Sequence, residues 1–121
     1  MDYIFDNERP IYIQLLEKIR LEIICGNLKS GQRLPSVREL ALTARVNPNT
    51  MQKALTELES EGLIYTERTN GKFVTKNEKL IENIKKELAK EKVNNYLNDM
   101  KNIGITYEEA IRYLQELGGN K

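Results

Sequence analysis

Two helix-start signals stand eleven residues apart in this chain, at Ser36 and Asn47. Ser36 followed by Glu39 is a capping box, in which the serine hydroxyl and the glutamate carboxylate satisfy each other's backbone N–H groups. Asn47 is a favourable N-cap. Pro48 suits the first helical position, where no N–H is needed. Apolar residues follow each signal at helical spacing: Val37, Leu40 and Ala41 after the first, Met51, Ala54, Leu55 and Leu58 after the second. The pattern predicts helices over residues 36–44 and 47–60, joined by a turn at 43–46, with Gly62 closing the second.

The flanking segments fit around this pair. Residues 1–9 read as an extended arm, expected to be mobile. Pro10 opens a helix in which Ile11, Leu15, Leu16, Ile19, Ile23 and Ile24 recur at helical spacing and which Gly26 can end. Cys25 falls within that stripe and is expected to be a small buried hydrophobe. Residues 29–32 form a turn. Residues 63–66 are strand-like, Thr69-Asn70-Gly71 is a hairpin turn because Asn-Gly tolerates positive φ, and residues 72–75 return as a second strand. From Lys76 the composition shifts to Lys, Glu and Asn. Leu80, Ile81, Ile84, Leu88, Val93, Tyr96, Leu97, Met100 and Ile103 mark one long amphipathic helix, which Gly104 breaks. Thr106 with Glu109 is another capping box, and Tyr107, Ala110, Ile111, Leu114 and Leu117 stripe a last helix ended by Gly118-Gly119.

The expected fold class is mainly α with a small β-hairpin. An arm over 1–9 precedes a winged helix-turn-helix over 10–76, with the helix-turn-helix at about 36–60 and the wing at about 63–75. A C-terminal two-helix dimerisation hairpin covers 77–121. A hairpin of that size cannot bury both apolar stripes alone, so a partner helix pair is expected. Leu88, Tyr96, Met100, Tyr107, Ile111 and Leu114 are the expected dimerisation residues, with Tyr113 a further aromatic anchor.

Composition narrows the function. The chain has 121 residues, no histidine and one cysteine. The commonest general base and commonest metal ligand are therefore missing, and no internal disulfide can form. No phosphate-binding Gly-rich loop or cluster of metal ligands occurs. Asp2 and Asp6 are the nearest approach to paired carboxylates. No enzyme activity, metal or cofactor is expected. The N-terminus lacks a basic n-region and no apolar run reaches the roughly 20 residues of a membrane span, so a cytoplasmic protein is expected.

The net charge of +1 conceals a sorted distribution: residues 27–53 carry Lys29, Arg33, Arg38, Arg45 and Lys53 against Glu39 alone. A helix-turn-helix lays its second helix in the DNA major groove, where base identity is legible. Here that helix would expose Asn49, Thr50, Gln52 and Lys53, all able to read base edges or phosphates. Helix N-termini at Ser36 and Asn47 offer free N–H groups and a positive dipole end to phosphates. Arg38, in a first helical turn, opposes the dipole and makes sense if an anion sits there. Arg33 lies in the same basic stretch. Arg68, Gly71 and Lys72 on the hairpin can reach the DNA backbone or minor groove.

The segments Leu34-Pro35-Ser36-Val37-Arg38-Glu39-Leu40-Ala41, Val46-Asn47-Pro48-Asn49-Thr50-Met51-Gln52-Lys53-Ala54-Leu55, Leu58-Glu59-x-x-Gly62-Leu63-Ile64 and Gly71-Lys72-Phe73-Val74 resemble the DNA-binding domain of the GntR superfamily. The opening Pro10-Ile11-Tyr12-x-Gln14-Leu15 is similar too, so the resemblance spans about residues 8–76. The short helical tail resembles the YtrA-like branch, whose members dimerise through it. The resemblance implies a DNA contact at Arg38, a recognition end at Asn49, Thr50 and Gln52, and a wing tip at Gly71. It also implies a regulator, commonly a repressor of transporter operons, that binds a palindromic operator as a homodimer. Many relatives outside this branch carry arginine where this chain has Pro48 or Gln52, so their base preference does not carry over.

Two other classes compete. A winged-helix protein-interaction module would not need the basic stretch or Arg38 at a helix start. An enzyme would need convergent titratable groups, which are lacking. The expected partners are double-stranded DNA and a second copy of the chain. A small-molecule effector would have its place at the dimer interface, with no identity legible.

Overall fold

The computed structural model describes residues 3–119 and follows the expected order of elements. Helices α1 (Ile11–Ile24), α2 (Val37–Ala44) and α3 (Pro48–Ser60) precede strands β1 (Ile64–Glu67) and β2 (Gly71–Val74). Helices α4 (Glu78–Asn102) and α5 (Tyr107–Gly118) follow. The chain divides into two compact units, one through Ile84 and one from Lys85 onward.

The first unit is a winged helix-turn-helix. Its core joins Leu15, Ile19 and Ile23 of α1, Leu40, Ala41 and Ala44 of α2, Met51, Leu55 and Leu58 of α3, and Leu63, Ile64 and Val74 around the hairpin. Each fully buried leucine or isoleucine contributes about 1.5–3 kcal/mol by leaving water, so these apolar stripes hold the three helices together. The unit extends past residue 76 because Ile81 and Ile84 on the first turns of α4 pack against the same core.

Local chemistry sets each boundary. At Ser36 both bonds of the capping box form: the Glu39 N–H donates to Ser36 Oγ at 3.1 Å, and the Ser36 N–H donates to Glu39 Oε1 at 3.2 Å. Helix α2 runs through Ala44, so the turn is tighter than the predicted 43–46. It closes on Arg45 in the left-handed region, φ 58°, with the Val46 N–H donating to Ala41 O. Asn47 Oδ1 then accepts the Asn49 N–H at 2.7 Å and starts α3.

The hairpin pairs Ile64 with Val74 and Glu67 with Gly71, leaving residues 68–70 as its loop. Gly71 carries the positive φ, +98°, and Asn70 does not. The expected Asn-Gly turn thus puts its positive φ on Gly71 alone, the first residue of β2 just after the three-residue loop. The outer edge of β2 is also partly paired. Leu34 N–H donates to Lys72 O, and Val74 N–H donates to Gln32 O, each at 2.8 Å. This edge pairing ties the approach to α2 directly to the wing.

Two expectations around α1 are corrected. Cys25 is exposed, because it is the C-cap beyond the last buried turn and its thiol turns to the Glu22 carbonyl. The described part of the arm is pinned, not loose. The buried Gln14 side chain accepts the Asp6 N–H and donates to the carbonyls of Asp6 and Arg9, while Tyr3 and Phe5 pack against the core. Asp2 lies outside the described residues.

In the second unit α5 begins at a capping box, Thr106 with Glu109. Hydrogen bonds from the Thr106 backbone, then its side chain, hold the Glu109 carboxyl below the usual carboxylate range. The Tyr96 hydroxyl donates to Ala110 O at 2.7 Å and couples α4 to α5. Ala110 is the one buried hydrophobic residue among the described residues of this unit. Tyr96, Met100, Ile103, Ile105, Tyr113, Leu114 and Leu117 instead line an open apolar groove of about 530 Å³. Among the described residues, no helix is long and apolar enough to cross a membrane.

Candidate nucleic-acid interface

Helix α3 buries Met51, Ala54, Leu55 and Leu58, and this fixes which side chains face outward. Asn49, Gln52 and Lys53 are exposed and Thr50 is half-buried. Gln52 Nε2 donates to Thr56 Oγ1 at 3.2 Å, one helical turn along, leaving the amide oxygen and a second N–H available. Lys53 is partly committed elsewhere. Its Nζ sits 3.8 Å from the centroid of the Tyr12 ring, a cation–π contact between α3 and α1.

A second wall is built by the edge pairing at β2. A groove of about 700 Å³ opens between the start of α2 and the wing. Its lining brings together five of the sequence-predicted residues: Arg33, Ser36, Arg68, Gly71 and Lys72. The Arg33 guanidinium lies over Gly71, with Nε 3.6 Å from where a Cβ would stand, so a side chain at this position would sit directly against the cation. Arg38 is exposed in the first turn of α2, and Asn47 is exposed at the start of α3.

The ion pairs sort these cations. Among the described residues Arg33, Arg38, Arg45 and Arg68 make no ion pair, whereas Arg20 is clamped by Glu61 and Lys72 faces Glu59. Lys72 Nζ also donates to Thr66 Oγ1 at 2.9 Å. The free guanidinium groups lie around the start of α2, the turn before α3 and the wing, beside two helix N-termini. That arrangement attracts a polyanion, since exposed cations and the positive ends of helix dipoles both favour phosphate. No group of three or more potential metal ligands occurs among the described residues.

Sequence reasoning missed four partners that fix side chains on or beside α3. Tyr12 holds Lys53, Thr56 holds Gln52, Glu59 holds Lys72, and Glu61 holds Arg20 by two bonds of 3.0 and 2.6 Å. Thr56 lies four residues after Gln52, within the reach of helix neighbours, and was findable. The other three pairs join elements distant in sequence and carry no local signal.

The tail residues also divide. Tyr96, Met100 and Leu114 line the apolar groove. Leu88 and Ile111 are half-buried elsewhere in the second unit. Tyr107 is exposed beside a separate hollow with Leu97, Lys101 and Ala110.

Comparison with known proteins agrees with this geometry. The family described as bacterial regulatory proteins, gntR family, matches residues 11–74. The transcriptional repressor YtrA of Bacillus subtilis is 36% identical over 113 residues, covering 92% of this chain and 86% of that protein. A GntR family transcriptional regulator from Listeria monocytogenes is 39% identical with TM-score 0.87, covering 93% of this chain and 99% of that one. The DNA-binding domain of AraR, solved with operator ORX1, is 30% identical with TM-score 0.57 and covers 62% of this chain and 96% of that one.

Proposed function

The chain belongs to the gntR family of bacterial regulatory proteins, as a DNA-binding transcription regulator, and from that premise we propose that it is a repressor acting as a homodimer on a palindromic operator. The observation that carries this reading is the unpaired Arg33 and Arg68 around one groove between the wing and the start of α2, the helix turn on which Arg38 is exposed. Helix α3 enters the major groove with Asn49, Thr50 and Gln52 toward base edges. Ser36 and Asn47 present helix N-termini to phosphates, and Arg33, Arg38, Arg68 and Gly71 follow the backbone. Lys53 joins them when it leaves Tyr12.

The second copy docks through the tail. An open apolar groove whose leucines are mostly exposed in a single chain fits a self-complementary interface. Joining two reading heads makes the second half-site contact intramolecular, which raises avidity by about 10²–10⁴. Repression is then steric, by occupying DNA that polymerase needs, in the cytoplasm.

Selection of binding sites from a random duplex library, followed by footprinting, tests the proposal. The expected outcome is an inverted repeat with half-sites centred about 10 base pairs apart. Enrichment of single, unrepeated sites would refute the dimeric arrangement.

A further inference from the structure

We propose that Lys72 is a positioning residue that braces the wing against α3 through Glu59, and is not one of the protein's phosphate contacts. The inference rests on the DNA-binding reading above and refines it.

Lys72 lies on β2, directly opposite Thr66 of β1. Its ammonium is 2.9 Å from Thr66 Oγ1 and 3.7 Å from Glu59 Oε2. The side chain is only 15% exposed, an unusual state for lysine, which normally keeps its head in water. Two partners thus hold the head back toward α3. The free arginines at the same groove lack any such partner.

Glu59 gives the pair its meaning. Gln52, Thr56 and Glu59 stand at i, i+4 and i+7 and so share one face of α3. Glu59 lies about 10 Å along the helix axis from Gln52. An acid on the face turned to DNA should repel phosphate. Paired with Lys72 it becomes a fixed point linking the reading helix to the wing. The edge pairing of residues 31–34 to β2 extends the link to Arg33 and the start of α2. The brace therefore sets the angle at which Arg68 and Gly71 meet the backbone while α3 is seated. Its loss lets the hairpin sample other angles, and affinity falls by the fraction of time the seating angle is kept.

The two possible roles of Lys72 predict opposite signs at Glu59. The test measures binding of the full-length protein to a duplex it has selected from a random library, across a salt titration that includes 150 mM, where exposed charges beyond about 8 Å are screened. Lys72→Met and Glu59→Gln should each weaken binding by roughly two- to fivefold per protomer, the scale of one partly exposed ion pair. The double variant should be no worse than either single variant, and all should keep the wild-type slope of log K against log salt. The exchanged pair Glu59→Lys with Lys72→Glu should bind better than Lys72→Glu alone. The inference is overturned if Lys72→Met lowers the slope by about 0.9 for each lysine lost while Glu59→Gln binds more tightly. Failure of the wild-type protein to select any duplex would instead remove the DNA-binding reading itself. That result differs from a failed brace, for which wild-type binding persists.

Discussion

Replacing Leu114 and Leu117 together by alanine should separate the proposed homodimer while leaving each chain folded. The two side chains are 53% and 72% exposed in the single chain, so little of its own stability rests on them. Burying a whole leucine contributes about 1.5–3 kcal/mol, and an interface can still gain half to three-quarters of that at these positions. The gain is about 2–4 kcal/mol per protomer. A two-fold interface uses each residue twice, which brings the loss to about 4–8 kcal/mol, or three to six decades in the dimer dissociation constant. Sedimentation equilibrium over a dilution series reads this directly, with circular dichroism confirming unchanged helicity. Operator binding should weaken in the same variant, because avidity is lost while each reading head stays intact. A dimerisation constant within threefold of wild type would refute the interface and move the contact to another surface.

Two further predictions concern local physics. Arg45→Gly should stabilise the protein by about 0.5–1 kcal/mol, because the left-handed conformation costs an L-residue about 1–2 kcal/mol and glycine's greater chain entropy returns part of that; a lower melting temperature by calorimetry would contradict it. The Glu109 carboxyl should titrate below its ordinary value near 4.5, because hydrogen bonds from Thr106 favour its charged form. Its contribution to α5 is therefore complete above the unfolded-state value and is lost as pH falls through the lower folded-state value. A carboxyl NMR titration checks this, with Thr106→Ala expected to move the midpoint only part of the way up, because the backbone N–H that makes the larger contribution remains.

Much of the architecture was written in short-range signals. The capping residues Ser36, Glu39, Asn47, Thr106 and Glu109 all act within three residues of their partners, and each forms the cap its spacing predicts. What escaped the sequence depends on distant partners. Gln14 lies in an apolar stripe and is buried because its amide holds the arm, a role invisible in periodicity. Cys25 continues the run of apolar residues but falls past the last buried turn, where the helix has already ended. Lysines were alike on paper, yet Lys53 is drawn to Tyr12 and Lys72 to Glu59 across the fold. The arginines of the interface were legible as cations, and only the folded chain distinguishes those left without an acid.

The most direct test is fluorescence anisotropy of a library-selected duplex with the wild-type protein, Arg38→Ala and Gln52→Ala. The wild-type protein should hold the duplex at low salt. Arg38→Ala should bind all sequences more weakly with a flatter salt dependence, and Gln52→Ala should tolerate base changes at a cost of about 1–3 kcal/mol on its preferred site. Equal affinity of all three proteins, or no retention of duplex by the wild type at 50 mM salt, would contradict the placement of α3 and Arg38 on DNA.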